Sequence, residues 1–279
     1  MNWQQWLTQA KKRLLISESP SAKRDAEILL SQVTGANRTK ILAFGETLLT
    51  DAQNKKLNLL LERRERGEPI AYLTGEREFW SLKLRVTTDT LIPRADTECL
   101  VQCTLDIMSP ICGAKVLDLG TGSGAIALAI AFERPAWYIT GVDRIPSAVS
   151  IAQENAKILG INNVHFQESY WFQSVNIHNY NIVVSNPPYI YKNDPYLTQG
   201  DVRFEPKSSL VSGKNGFQDL EIICRESIKH LIPGGWLILE HGWRQGAYVR
   251  TLLANFGFSR IVTIRDYGDN DRVSKGQKL

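Results

Sequence analysis

The stretch that most constrains this chain is Val116-Leu117-Asp118-Leu119-Gly120-Thr121-Gly122-Ser123-Gly124-Ala125, an apolar strand that runs through three glycines straight into a helix. Strand-like and helix-like segments keep alternating around it: Lys115–Leu119, Gly122–Phe132, Tyr138–Val142, Pro146–Leu159, Val164–Gln167, Ile182–Ser185, Phe217–Leu231 and Trp236–Leu239. Such alternation predicts an α/β fold, a parallel sheet covered by helices on both faces.

The first 75 residues follow another period. Trp3, Trp6, Leu7, Ala10 and Leu14 recur at helical spacing, a second helix runs from about Ser21 to Val33 and stops at Gly35, and Thr50 with Gln53 marks the start of a third. A small all-helical domain over 1–75 is therefore expected, its Trp3/Trp6 stripe serving as core rather than as a partner groove. From 76 to 90, Leu82, Leu84 and Val86 alternate with Lys83 and Arg85, the mark of a strand or hairpin linker, and 91–279 form the α/β domain. After Pro93 a helix is expected over Asp96–Met108, with Asp96 as its N-cap.

The net charge of +4 lies wholly in residues 1–90, which hold 15 Lys/Arg against 11 Asp/Glu; residues 91–279 hold 18 of each. A neutral α/β domain does not advertise a phosphate-binding face, and no direct nucleic-acid substrate is expected. The longest apolar run, Ala125 to Phe132, is far below a membrane span, and Met1-Asn2-Trp3-Gln4-Gln5 lacks the layout of a signal peptide, so a cytoplasmic protein without a membrane partner is expected. Cys99, Cys103, Cys112 and Cys224 form no C-x-x-C pair, and His165, His178, His230 and His241 are scattered, which argues against disulfides and a metal site. Cys99 and Cys103, four apart on a helix, read as packing.

Chemistry concentrates at two strand ends. Gly120, Thr121, Gly122, Ser123 and Gly124 form a turn whose glycines permit close backbone approach and whose free N–H groups suit a nucleotide's polar groups. Asp143, 19 residues beyond Gly124, ends the next strand where a carboxylate can accept from both ribose hydroxyls; capping the helix that starts near Pro146 is its alternative role. Gly120, Gly122 and Ala125 also satisfy G-x-G-x-x-G/A, so NAD and S-adenosyl-L-methionine both fit these features. The apolar strand Ile182–Ser185 ends in Asn186-Pro187-Pro188-Tyr189, which discriminates between them. Two prolines stiffen the backbone, and the Asn186 side-chain oxygen and a proline carbonyl can take the two hydrogens of a conjugated NH2 group, orient its nitrogen toward a methyl donor and stabilise the charge that grows on it. Tyr189 is placed to stack on the planar group.

Together with Asp118–Gly124, the Asn-Pro-Pro-Tyr segment resembles S-adenosylmethionine-dependent amino-methyltransferases. Gly75-Glu76-Arg77-Glu78-Phe79-Trp80, Ile92-Pro93-Arg94-Ala95-Asp96-Thr97-Glu98, Arg203-Phe204-Glu205-Pro206 and Asp266-Tyr267-Gly268-Asp269-Asn270 narrow the resemblance to the HemK-type (PrmC family) peptide chain release factor N5-glutamine methyltransferases, over residues 1 to about 273. It implies a Rossmann-like class I methyltransferase sheet preceded by a helical domain that helps hold the release factor. It also implies methylation of the glutamine of a Gly-Gly-Gln motif; no metal and no covalent intermediate are expected, and the protein is taken as a monomer. Carried over, the cofactor contacts are Gly120–Gly124, Asp143, Trp171 and the edge of Asn186; Asn186, Pro187 and Tyr189 carry the reaction, and Asn186, Pro187, Pro188 and Tyr189 bind the glutamine. The residue before Trp171 is commonly acidic in this family and is Tyr170 here, with Glu168 a candidate substitute. Arg94 receives no catalytic role, and the acidic cluster 266–271 reads as a hairpin turn rather than a calcium loop. The rival readings are adenine-N6 methylation of DNA or RNA, to which the same chemistry applies, a nicotinamide oxidoreductase, and a non-enzymatic release-factor or ribosome-binding adaptor.

Overall fold

A computed structural model describes residues 1–107, 113–175 and 180–279, so Cys112, His178 and the end of the helix expected to reach Met108 lie outside the described residues. The chain divides into two compact units, one of Met1–Glu76 with Thr198–Phe204 and one of Arg77–Leu197 with Glu205–Leu279.

In the smaller unit the helices Trp3–Ile16, Ala22–Thr34 and Asp51–Glu65 bury Trp6, Leu14, Leu29, Leu30, Leu57 and Leu61 in one core. Trp3 and Trp6 are 5% and 2% exposed, core as the stripe suggested. Thr50 and Gln53 exchange both capping-box bonds, and Gly35 ends its helix in the left-handed region at φ 71°. The short helices Arg38–Ala43 and Ile70–Thr74 are too brief to show a period. Segment 198–204 joins this unit although it lies in the sequence stretch assigned to the α/β domain: Arg203 donates to the Arg66 carbonyl at 2.9 Å, and Asp201 pairs at 3.6 Å with Arg64, itself bonded to buried Asp25 at 2.8 Å.

The larger unit starts with a hairpin, β1 (Glu76–Phe79) and β2 (Leu82–Arg85), turning through Trp80 and Ser81 at positive φ. Its alternation buries Leu82 and Leu84 and exposes Lys83 and Arg85, and with Phe79 these join the core of the larger unit. The main sheet comprises β3 (Lys115–Leu119), β4 (Tyr138–Asp143), β5 (Val164–Glu168), β6 (Tyr180–Ser185), β7 (Leu231–Glu240), β8 (Phe258–Arg265) and β9 (Asp271–Lys278), in the order β5-β4-β3-β6-β7-β9-β8. The first five strands are parallel and β9 runs antiparallel to both β7 and β8. Buried residues of 0–9% exposure fill both sides of the sheet, with Leu128 and Ile182 in one cluster and Leu117 and Leu220 in the other.

Three corrections bear on the site. The helix after the glycines begins at Ala125, not Gly122. Asp96 is no N-cap: it sits inside a 3-10 turn, Ala95–Thr97, ahead of the helix Glu98–Ile107, and pairs with Arg272 at 3.5 Å. The helix Gly246–Asn255 carries a weak pattern because half its residues stay exposed, and the β8–β9 pair because most of its residues are only half-buried; the turn between those strands is the expected one, closed by Asp266, which accepts from Gly268 and Asn270 N–H.

Candidate active site

The chain leaves β3 outward to β4 and β5, then returns to β6 on the other side of β3. Order reverses there, and in open parallel sheets a crevice forms at the carboxyl ends of the two strands flanking such a reversal. A cleft of about 700 Å³ lies at that position, lined by residues that follow four strands, among them Gly120, Asp143, Trp171 and Asn186. The Ser185 hydroxyl, donating to the Leu119 carbonyl at 2.7 Å, ties the two central strand ends together.

The five residues of the glycine turn divide their work. Gly120 and Gly122, at φ 72° and 55°, line the cleft. Thr121 turns inward to donate to Asp118 at 2.6 Å, the carbonyl of buried Ser123 accepts from Asn155 at 2.9 Å, and a Cβ on Gly124 would lie 3.0 Å from Leu128 and Phe166. These three are supports of the turn rather than part of the cleft wall. Asp118 is fully buried, which pushes its carboxyl up to about 7 against the opposing pull of the Thr121 hydroxyl and the Ala127 N–H.

Asp143 lines the cleft and accepts Gly122 N–H at 2.9 Å through Oδ2 and Ile145 N–H at 3.0 Å through Oδ1. The side chain thus holds the glycine turn and the entry to the helix Pro146–Leu159 at once, while the N-cap itself is Ile145. Each oxygen keeps a lone pair for a ligand hydroxyl. Trp171 sits in the left-handed region at φ 50°, its ring 3.4 Å from where a Cβ on Gly120 would stand and its indole N–H buried without a partner. Ser169, absent from the sequence-based site, holds this strained residue: its hydroxyl donates to the Trp171 carbonyl at 2.8 Å and its N–H to the Asp143 carbonyl at 2.9 Å. Tyr170 lines the cleft; Glu168, the proposed substitute, is exposed on β5 and is not in its wall.

Asn186 and Pro188 line the same cleft, whereas Pro187, buried, and Tyr189, half-buried, do not. Asn186 Nδ2 donates to the Thr97 hydroxyl at 3.2 Å. Tyr189 turns its hydroxyl inward to Glu240 Oε1 at 3.3 Å, and its carbonyl accepts from Gln245 at 3.0 Å. Burial pushes the Tyr189 phenol up, the nearby Glu240 charge adding to it, and pushes the Glu240 carboxyl up to about 7. Arg94, given no catalytic role, pairs with the buried Glu205, which also accepts Ile92 N–H at 3.0 Å. The thiols of Cys99, Cys103 and Cys224 are pushed up by burial, Cys103 to about 12, as suits packing residues. No group of metal-ligating side chains occurs among the described residues, and none of their helices is long and apolar enough to cross a membrane.

This sheet order, with its cleft over β3 and β6, defines a Rossmann-like class I methyltransferase. Residues 5–75 match the PrmC N-terminal domain model and 112–259 the Methyltransferase domain model. The release factor glutamine methyltransferases of Salmonella typhimurium and Escherichia coli are each 54% identical over 277 residues, 99% of this chain and of theirs, and that of Vibrio cholerae is 47% identical over 97% of this chain and 95% of its own. Among solved structures, the Thermus thermophilus 16S rRNA N2 G1207 methyltransferase in complex with AdoMet and guanosine shares the fold, with a TM-score of 0.53 at 16% identity over 73% of this chain and 50% of that one. The chain belongs to the release factor glutamine methyltransferase family.

Proposed function

We propose that this chain transfers a methyl group from S-adenosyl-L-methionine to the side-chain amide nitrogen of the glutamine in the Gly-Gly-Gln motif of peptide chain release factors, leaving N5-methylglutamine. One observation carries the reading of the site. Asn186 shares a cleft with Asp143 and Trp171, and its amide nitrogen is already taken by Thr97, so its oxygen is the end left for a substrate amide.

The residues suit the cofactor. The cleft brings the buried, unbonded indole N–H of Trp171 beside Gly120, whose left-handed backbone at φ 72° favours glycine. When bound, S-adenosyl-L-methionine supplies a methyl group on a positively charged sulfur. Gly120 and Gly122 let the backbone approach it, Asp143 accepts from its ribose, and Trp171 covers its adenine; Thr121, Ser123 and Gly124 shape the turn from behind.

An amide nitrogen is a weak nucleophile because its lone pair is delocalised into the carbonyl. Asn186 Oδ1 and the Pro187 carbonyl, which meets no donor among the described residues, accept its two hydrogens and favour the charge that grows as the new bond forms. Pro188 keeps the segment stiff, and Tyr189, its hydroxyl turned to Glu240, anchors it from behind the cleft. The proton leaves after the methyl arrives, so neither a strong base, a metal nor a covalent intermediate is required. We further assign residues 1–75 to holding the protein substrate, 76–90 to a linker and 91–279 to catalysis, in a monomeric cytoplasmic enzyme without a nucleic-acid substrate. Mass spectrometry of an unmethylated release factor, incubated with the protein and labelled S-adenosyl-L-methionine, tests this: label on the Gly-Gly-Gln glutamine is expected, and label elsewhere or on nucleic acid overturns it.

A further inference from the structure

Behind Asn186 lies a polar cluster whose side chains are not part of the cleft wall. Thr97, 4% exposed, accepts from Asn186 Nδ2 at 3.2 Å and lies against the carboxyl of Glu240, 2% exposed, whose charged form its hydroxyl favours. Among the described residues, charged and titratable groups face Glu240 from several other elements: Tyr189 beyond β6, Asp96 beside Thr97, Cys99 on the following helix and Arg272 on β9, the last bonded to Asp266 at 3.0 Å. Glu240 Oε2 has no hydrogen-bond partner.

A hydroxyl has a single proton. Next to an ionised carboxylate, which only accepts, that proton goes to the carboxylate, and the hydroxyl has only lone pairs to offer Asn186. Only the NH2 end of the Asn186 amide can meet a lone pair, so the oxygen end takes the opposite direction. A flipped Asn186 would oppose oxygen to oxygen at Thr97 and aim N–H groups at the hydrogens of the substrate amide. The two ends of an asparagine amide are nearly equal in shape, so packing alone does not choose between them; the bonding pattern does.

We propose that Thr97, held by Glu240, is a positioning residue that fixes which end of the Asn186 amide faces the substrate. The inference rests on the reading that Asn186 accepts hydrogens of the glutamine amide. It extends to pH: when Glu240 takes up a proton it can donate to Thr97, the Thr97 proton is then free to face Asn186, and both amide orientations become allowed. Methyl transfer therefore falls as pH drops below neutrality, because burial places the Glu240 transition near 7.

The test is single-turnover methylation of an unmethylated release factor by the full chain at saturating cofactor, with Thr97→Val, Thr97→Ser, Asn186→Ala and the Thr97→Val/Asn186→Ala pair. Thr97→Val should slow transfer by about tenfold or more at unchanged cofactor affinity, the loss of one orienting hydrogen bond, and Thr97→Ser should restore most of the rate. The double variant should be no slower than Asn186→Ala, since Thr97 acts only through Asn186. A slow Asn186→Ala beside a parental Thr97→Val, or multiplicative losses in the double variant, overturns the positioning role and leaves the Asn186 reading intact. A parental Asn186→Ala instead overturns the reading beneath it. Should Thr97→Val fail to fold, Glu240→Gln decides: the acid limb of the rate near pH 7 should vanish, and an unchanged limb overturns the proposal.

Discussion

The two strand ends that make the site are built in opposite ways. The glycine turn after β3 is closed from nearby: Thr121 bonds Asp118 three residues away, and Asp143, at the end of the adjacent strand, holds Gly122. The Asn-Pro-Pro-Tyr segment after β6 is held from afar, by Thr97 on Asn186, Glu240 on the Tyr189 hydroxyl and Gln245 on the Tyr189 carbonyl. A cofactor met through backbone needs only a turn of the right shape, whereas a substrate amide met through a side chain needs that side chain turned the right way, and orientation has to be imposed by neighbours.

The largest expected effect separates the two ends. Asn186→Ala should cut methyl transfer by on the order of 100-fold or more while leaving cofactor affinity nearly unchanged, because one preorganised polarising contact is worth roughly 2.7–4 kcal/mol. Single-turnover rates and calorimetry measure the two quantities separately. Equal losses in both would mean that the ends act as one.

Asp143→Ala should do the reverse, weakening S-adenosyl-L-methionine by roughly 1.5–3 kcal/mol through lost charge-assisted bonds. The same change frees Gly122 N–H and Ile145 N–H, so part of the loss is the turn relaxing. An unaltered dissociation constant would leave Asp143 as a support of the turn alone.

Much of the larger unit could be read in advance, since β3, β4 and β6 are built mainly of apolar residues and the parallel arrangement follows from the alternation of strands with helices. What stayed hidden was long-range. The signatures around Arg94, Glu205 and Asp266 gave no role on their own; in the fold Arg94 meets Glu205 from 111 residues away, Trp80 N–H meets Glu98 at 2.9 Å, and Asp266 steadies Arg272 near the Tyr189–Glu240 pair. No local pattern announces Thr97 or Glu240 as partners of Asn186 and Tyr189, because each lies in a segment whose own period explains it. Nor does composition show that 198–204 belongs with the helical unit, a placement made by Arg203 and Asp201.

A smaller effect probes the locally built end. Gly124→Ala should destabilise the protein by about 2 kcal/mol, combining a left-handed backbone at φ 85° with a Cβ pressed to 3.0 Å against Leu128 and Phe166. Thermal unfolding measures it. A neutral substitution would show the helix beginning at Ala125 free to shift, and with it the glycine turn.

The last expected effect, read as a slope rather than as a single loss, concerns what the two ends share. Each hides a carboxyl beside a threonine, Asp118 with Thr121 and Glu240 with Thr97, and burial raises both, from an ordinary 3.8 and 4.5 respectively to about 7. The folded protein therefore holds these protons at pH values where the unfolded chain has released them, so their contribution to stability is intact below about pH 4 and is lost as pH climbs toward 7. A single proton limits the slope to about 1.4 kcal/mol per pH unit. Denaturant unfolding between pH 4 and 8 should show Asp118→Asn and Glu240→Gln each flattening that decline, and the pair flattening it further. Flattening by Asp118→Asn alone would mean that Arg272, lying near Glu240 but absent behind the glycine turn, compensates the charge at the remotely built end, leaving desolvation uncompensated only at Asp118.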